Sequence, residues 1–350
     1  MKNLIDKLRK TQCLSADELK FLIENISDEE LCYLHKCARE VAIENYGNKV
    51  FVRGLIEFTN YCKNNCYYCG IRAGNKCVSR YRLEKQDILD CCKQGYDLGF
   101  RTFVLQGGED LYFTDEKMVD IISAVRETYP DCAITLSVGE KPFDTYKKYF
   151  EAGANRFLLR HETADEKHYS KLHPENLTLE NRFQCLKNLK EIGFQTGCGF
   201  MVGSPYQTTE HIVKDLLFIK EFQPEMVGIG PFLPHKDTPF KDSPGGSVRL
   251  TLMLLSIIRL LVPSVLLPAT TALNTADENG RENGILAGAN VIMPNLSPNS
   301  VREKYMLYDG KVSSFDESAE EIEHLKKVMK NIGYEITCDR GDNKRFVKEK

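Results

Sequence analysis

The sequence predicts an α/β fold, a complete (β/α)8 TIM barrel with an N-terminal helical extension and a C-terminal helix. Short apolar runs alternate with amphipathic stretches from Val50 onward. Eight such runs occur, the strand count of that barrel, and polar residues recur at their C-terminal ends, where barrel enzymes build their sites. Those ends carry Glu57, Glu109, Glu140, Glu162 and the Thr270, Thr271 pair. A doubly wound open sheet is the alternative architecture.

Residues 1–48 read as a helical extension, because Ser15 to Glu18 and Ser27 to Glu30 each fit an S-x-x-E capping box ahead of an apolar periodic run. The barrel is assigned to 49–298. Its candidate strands are VFVRGLIEF, TFVLQGG, AITLSVGE, RFLLRHE, TGCGFMVG, MVGIGPF, VLLPATTA and NVIMPN, separated by helical stretches such as LENRFQCLKNLKEIG. Continuous apolar strands flanked by helices argue for a parallel sheet. Residues 299–350 form a C-terminal extension, with a helix in DESAEEIEHLKKVMKNIG ended by Gly333 and a charged tail, CDRGDNKRFVKEK, read as solvated.

The chain has 350 residues, 42% hydrophobic and 28% charged, and reads as an ordinary globular protein. A net charge of −3 provides no global field for nucleic acid or anionic lipid, so small-molecule partners are expected. No secretory signal and no membrane-length apolar stretch is visible, which predicts a cytoplasmic protein with neither membrane nor nucleic acid as a partner. Thirteen cysteines therefore read as reduced thiols, with Cys32, Cys37, Cys91, Cys92 and Cys185 as packing residues in helical patterns.

Cys62, Cys66 and Cys69 differ from these, forming a C-x3-C-x2-C run in a polar loop after the first strand. Three thiolates without an obvious fourth favour an iron-sulfur centre with one iron open over a structural zinc, which takes four protein ligands; inert thiols are the remaining alternative. The second strand ends in Gln106, Gly107, Gly108 and Glu109, where consecutive glycines let a ligand approach the backbone. Gly197, Gly199 and Gly203 do not complete a dinucleotide fingerprint, since Val202 holds a required glycine position. His161 with His168 is too widely spaced for a zinc helix and reads as surface coincidence.

The cysteine run, with an aromatic Tyr68 before its last thiol and a GGE turn after strand two, resembles the radical S-adenosylmethionine superfamily. That resemblance implies one [4Fe-4S] cluster on Cys62, Cys66 and Cys69, whose unique iron takes the amino and carboxylate groups of S-adenosyl-L-methionine. It further implies one-electron cleavage to methionine and a 5'-deoxyadenosyl radical. The segments FTNYCKNNCYYCGIR, RYRL, VLQGGED, TLSVGE, LLRHETA, GFMVGSPYQT, MVGIGPFLPHKDTP, LPATTA and GANVIMPN resemble, more specifically, the HydE family of [FeFe]-hydrogenase maturases.

For that family the resemblance implies a part in H-cluster assembly, acting on a small organometallic or amino-acid-derived substrate. The substrate class is a cysteine-ligated iron complex carrying carbon monoxide and cyanide, a precursor of the bridging dithiolate. Partners implied are a low-potential electron donor, ferredoxin or flavodoxin, and the other hydrogenase maturases. Residue by residue, it places Tyr68 near adenine and Gln106, Gly107, Gly108, Glu109, Ser137, Glu162, Arg182 and Met201 around the cofactor. Thr135, Arg160, Thr270, Thr271 and Met293 fall to the substrate cavity. No catalytic side chain is expected beyond the cluster and S-adenosylmethionine.

Both cofactor assignments make chemical sense, since the Glu162 carboxylate can accept from a ribose hydroxyl or amino group and the Arg182 fork matches a carboxylate. An arginine inside a parallel strand, as Arg160 is predicted to be, is costly unless paired or bound to an anion; an ion pair with Glu57 or Glu140 is the alternative. His161, next along the strand, points to the other side.

Some members of the family carry three further cysteines toward the C-terminus for a second cluster. This chain has none there apart from Cys338, so no second cluster is expected, and Arg281 in the 274–283 loop is left without a role. Methylornithine synthase, a radical mutase on an amino acid, is the nearer alternative. Biotin synthase is disfavoured because Cys132 and Cys198 are each one residue out of register with its internal cysteines. A non-catalytic metal-binding scaffold is the distant one.

Overall fold

The computed structural model describes residues 1–311 and 322–346. Helices α1 (Lys2–Thr11), α2 (Ala16–Asn25) and α3 (Asp28–Tyr46) form the N-terminal extension. Both expected capping boxes are present: the Ser15 and Ser27 hydroxyls accept from the Glu18 and Glu30 amides, and each glutamate accepts in return from its serine amide. This satisfies amide donors that no helical carbonyl can reach.

The first predicted strand divides at Arg53 into β1 (Lys49–Val52) and β2 (Gly54–Thr59), because the halves pair with different neighbours. There follow α4 (Lys85–Asp97), β3 (Thr102–Gly107), α5 (Asp115–Thr128), β4 (Ala133–Ser137), α6 (Phe143–Glu151) and β5 (Arg156–Leu158). Next come α7 (Glu166–Leu172), α8 (Leu179–Ile192), β6 (Gln195–Cys198), β7 (Met201–Val202), α9 (Thr209–Phe222), β8 (Met226–Val227) and β9 (Gly230–Pro231). The described elements end with α10 (Val248–Leu261), α11 (Thr271–Ala276), α12 (Gly280–Leu286), β10 (Val291–Ile292), α13 (Asn299–Arg302), α14 (Ile322–Asn331), β11 (Glu335–Thr337) and a 3-10 turn, Lys344–Phe346. Residues 316–321 of the expected C-terminal helix lie outside the described residues.

A parallel sheet runs β2-β3-β4-β5-β6-β8, with β10-β1-β11 and β7-β9 as smaller sheets. The seventh predicted strand, VLLPATTA, is not a strand. Pro268 has no amide to donate and Thr270 caps α11, leaving only single bridges, Met226 to Leu266 and Pro268 to Val291. What the ladders establish is an α/β fold on a parallel sheet, and their continuous pairings do not close a ring as a complete barrel would. α10 is buried almost all round, as an apolar helix between α3 and the sheet must be. No described helix is long and apolar enough to cross a membrane.

Three sequence expectations need correction here. Cys37, Cys91, Cys92 and Cys185 are buried, but Cys32 is exposed on α3. His161 and His168 are both buried rather than at the surface: His161 sits behind the sheet among Phe183, Phe200 and Phe218, bonded to Asp215 at 3.2 Å.

The largest difference is the C-terminal tail, which as far as Phe346 is folded into the molecule; residues 347–350 lie outside the described residues. β11 pairs in parallel with β1, and Asp342 and Asn343 then cover the N-terminal ends of the strands. Asp342 accepts from Arg156 at 2.7 Å and Gln195 at 2.6 Å, while fully buried Asn343 donates to the carbonyls of Glu225 and Ser264. Arg156, not Arg160, is therefore the arginine buried inside a strand.

Candidate functional site

At the opposite, C-terminal ends of the strands, the chain leaving β2 makes a long loop that carries the three thiols. Arg80 holds this loop, its guanidinium donating to the carbonyls of Asn60, Ile71 (2.8 Å), Arg72 (2.7 Å) and Asn75 (3.1 Å). A planar fork with five donors can gather four carbonyls that would otherwise need water. The loop is tied to its surroundings by Lys63 N to Glu109 O, Tyr67 N to Leu172 O and Gly70 N to Leu307 O, at 2.8–3.0 Å. Sequence reading placed Arg80 only within a family segment; its clamp depends on turns that no spacing rule reveals.

Cys62, Cys66 and Cys69 face a cavity of about 310 Å³. Burial pushes the Cys66 thiol up to about 12 and raises Cys62 and Cys69 in the same direction, the neighbouring sulfurs adding to the effect at Cys69. Thiols so placed stay protonated until a metal displaces the proton. No three His, Cys, Asp or Glu side chains among the described residues are gathered tightly enough for one metal ion. The donor set suits a cluster that spreads its thiolates over several irons.

The same cavity is lined by Tyr68, Gln106, Gly107, Gly108, Glu109, Ser137, Arg160, Glu162, Arg182, Met201 and Thr270. Thr135, Thr271 and Met293 lie outside that lining. Thr135 is two residues below Ser137 on β4, buried, with its hydroxyl unpartnered. Thr271 starts α11 beside Thr270. Met293 is half-buried and packs against the cluster of Phe51, Met226, Leu266 and Val291. Tyr305, Leu307 and Tyr308, from the polar loop after the last strand, also line the cavity and carried no sequence signal of their own.

Gly107, the last residue of β3, packs against Thr59 and Phe58 of β2, and Gly108 after it makes room for the loop. A Cβ on Gly108 would lie 2.1 Å from the Tyr61 carbonyl and 2.7 Å from the Cys62 Cβ, so the close approach is made by the chain that carries the first thiol. Glu109, beside them, accepts from the Glu140 amide at 3.0 Å and faces Lys63 at 3.2 Å.

Charged groups converge from the other side. Arg160 lies past the end of β5, not within it, and is about one-third exposed. Its expected ion-pair partners are both engaged elsewhere: Glu57 with Lys311 (2.5 Å) and Asn295 (2.9 Å), Glu140 with Arg182 (2.5 Å). Arg160 stands instead 3.1 Å from Glu162 Oε2, without hydrogen-bond alignment, leaving its Nε and Nη2 and that oxygen unpartnered. Glu162 holds a φ of 65°, uncommon outside glycine, with its amide on Gly199 O. Strained backbone and buried polar atoms without a hydrogen bond at a cavity wall are features of ligand sites. Arg182 donates Nε to Glu140 and Nη1 to Arg160 O (2.6 Å), so the cationic wall is fixed before any ligand arrives.

Tyr68 is fixed as well, by a residue that sequence reading missed. His173 Nδ1 faces the Tyr169 carbonyl at 3.0 Å and must carry the proton, so Nε2 accepts from the Tyr68 hydroxyl at 3.2 Å. Burial holds the imidazolium down to about 3, keeping the ring neutral. Replacing His173 with leucine is expected to cost about 1–3 kcal/mol by stranding a buried hydroxyl. Adding Tyr68→Phe should recover most of that loss in thermal unfolding; additive losses would show that the two rings act separately.

The family model of the radical SAM superfamily matches residues 56–219. The chain is 43% identical to the [FeFe] hydrogenase maturase subunit HydE of Thermotoga maritima, over 89% of each chain. It is 32% identical to the 3-methylornithine synthase of Methanosarcina acetivorans, covering 92% of this chain and 90% of the other. The crystal structure of methylornithine synthase (PylB) superposes with a TM-score of 0.84 at 29% identity, over 95% of this chain and 97% of that one.

Proposed function

Because the chain belongs to the radical SAM superfamily and, within it, to the HydE maturase family, we propose that it serves [FeFe]-hydrogenase maturation through radical chemistry in this one cavity. The observation that carries the proposal is the meeting of three loop thiols with the Arg160–Glu162 ion pair, whose buried atoms make no hydrogen bond, in one cavity. A bound [4Fe-4S] cluster with S-adenosylmethionine would supply a one-electron cleavage that generates the 5'-deoxyadenosyl radical.

Cys62, Cys66 and Cys69 would hold the cluster. Arg182, braced by Glu140, offers its remaining donors to the methionine carboxylate, and Glu162 offers a lone acceptor to a ribose hydroxyl or the amino group. Tyr68 packs over the adenine side, Gln106 to Glu109 shape the floor, and Ser137 and Met201 close the edges. Arg160, Thr270 and Thr271, with Thr135 and Met293 beneath, take the substrate, an iron complex of cysteine, carbon monoxide and cyanide. Leu158 and Phe232 in the same wall exclude water, which protects a reactive radical from quenching.

In this reading the extension, 1–48, and the C-terminal segment, 299–350, flank a barrel over 49–298 whose ring is continued by the single bridges at Leu266, Val291 and Asn295. One cluster suffices, since Cys338 is the sole cysteine after Cys198. A reducing cytoplasm suits the free thiols, and a low-potential ferredoxin or flavodoxin supplies the electron.

The test is anaerobic turnover of reconstituted protein with S-adenosylmethionine and reductant. Formation of 5'-deoxyadenosine should depend on reductant and accelerate with the cysteine-bearing iron complex, and Arg160→Met should lose that acceleration. Acceleration by lysine and not by the iron complex would instead favour an amino-acid mutase, and with it the likeness to the 3-methylornithine synthases of Methanosarcina.

A further inference from the structure

Resting on the radical reading above, we propose that the outer face of the thiol loop is the docking surface for a small acidic one-electron carrier protein. The reducing electron must come from outside, and this face carries an excess of positive charge in a chain whose overall balance is slightly negative. Between Cys62 and Lys85 the sequence places Lys63, Arg72, Lys76, Arg80, Arg82 and Lys85 against one acid, Glu84, in a chain whose net charge is −3.

Some of these cations are neutralised where they stand: Lys63 by Glu109 (3.2 Å), Arg82 by Asp110 (2.6 Å) and Lys85 by Asp120 (2.7 Å). Arg72, Lys76 and Arg80 contact backbone carbonyls and aromatic rings, with no carboxylate partner among the described residues. Their field is uncompensated. Lys76 is exposed, and Arg72 and Arg80 are partly so.

The face also has an apolar part beside Arg82. The Arg82 guanidinium lies 3.7 Å from the centre of the Tyr61 ring and 4.8 Å from that of Tyr112, joining the thiol loop and the segment after Glu109 into one surface. On it Leu111 is 73% exposed and Tyr112 38%. An exposed leucine and an aromatic ring beside cations match the apolar core and polar rim of a transient protein interface. Tyr61 and Lys63 adjoin Cys62, so a carrier seated here rests on the chain that holds the first thiol. A cationic surface selects an acidic partner and speeds its association, an effect that salt screens.

Stopped-flow reduction of the cluster-loaded full chain tests this, with a flavodoxin hydroquinone as the carrier and dithionite in parallel. Combined Arg72→Glu and Lys76→Glu should slow reduction by flavodoxin about tenfold or more and leave reduction by dithionite unchanged. Rising salt should slow the flavodoxin reaction of the unaltered chain, and Leu111→Ser should raise the carrier concentration needed for half-saturation. Flavodoxin rates that survive the double reversal, at full iron content, would overturn the proposal. Should the double variant lose iron, Lys76→Glu alone, at an exposed position, carries the same test. A chain that dithionite itself cannot reduce would overturn the radical reading instead.

Discussion

Replacing Cys69 with alanine should drop iron from about four atoms per chain to near background after anaerobic reconstitution, and abolish 5'-deoxyadenosine formation. The expected effect is this large because no substitute ligand is at hand: Cys77 is exposed further along the loop, and Cys91 and Cys92 are buried on α4. Cys77→Ala and Cys91→Ala should accordingly keep their iron and their colour. Zinc in place of iron in the anaerobically purified protein, or full iron in the Cys69 variant, would end the cluster assignment. The Cys69 variant should remain folded, since the loop is held by Arg80 and by backbone bonds to Glu109, Leu172 and Leu307, none of which needs the thiol.

That contrast also shows what the sequence made legible. Ligand spacing is local, so the thiol run could be read directly, as could the capping serines and the apolar strands. Partnerships between distant segments could not. Arg160 looked like a strand arginine in want of a carboxylate, and the nearest candidates were Glu57 and Glu140. Lys311 claims the first and Arg182 the second, through contacts spanning 254 and 42 positions. His173 was invisible for the same reason, since its link to Tyr68 crosses 105 positions. The seventh strand failed on a different ground: VLLPATTA has the apolar content of a strand, but Pro268 and the capping Thr270 remove the backbone geometry that a ladder needs.

The tail was misread because charge density resembles solvation when partners are unseen, and this leads to the second large effect. Asp342→Ala should destabilise the protein by about 3 kcal/mol and lower its unfolding midpoint by about 5 °C. The loss falls on Arg156, which is fully buried and has Asp342 as its carboxylate partner; without it a guanidinium is stranded beneath the sheet. Gln195 and Arg340 lose an acceptor at the same moment. Burial alone would raise the Asp342 carboxyl, but Arg156 and the Gln195 amide outweigh it and bring the carboxyl down to about 2 from an ordinary 3.8. A carboxyl whose folded value is depressed contributes stability that is complete above its unfolded value and disappears as pH falls through the folded one. After allowance for its partial exposure, that contribution is about 1–2 kcal/mol. The gap in thermal midpoint between the unaltered chain and Asp342→Asn should thus be constant above about pH 4 and narrow between about pH 4 and 2. A gap that stays level through that window would show that Asp342 acts through its shape and hydrogen bonds, with its charge unimportant to the fold.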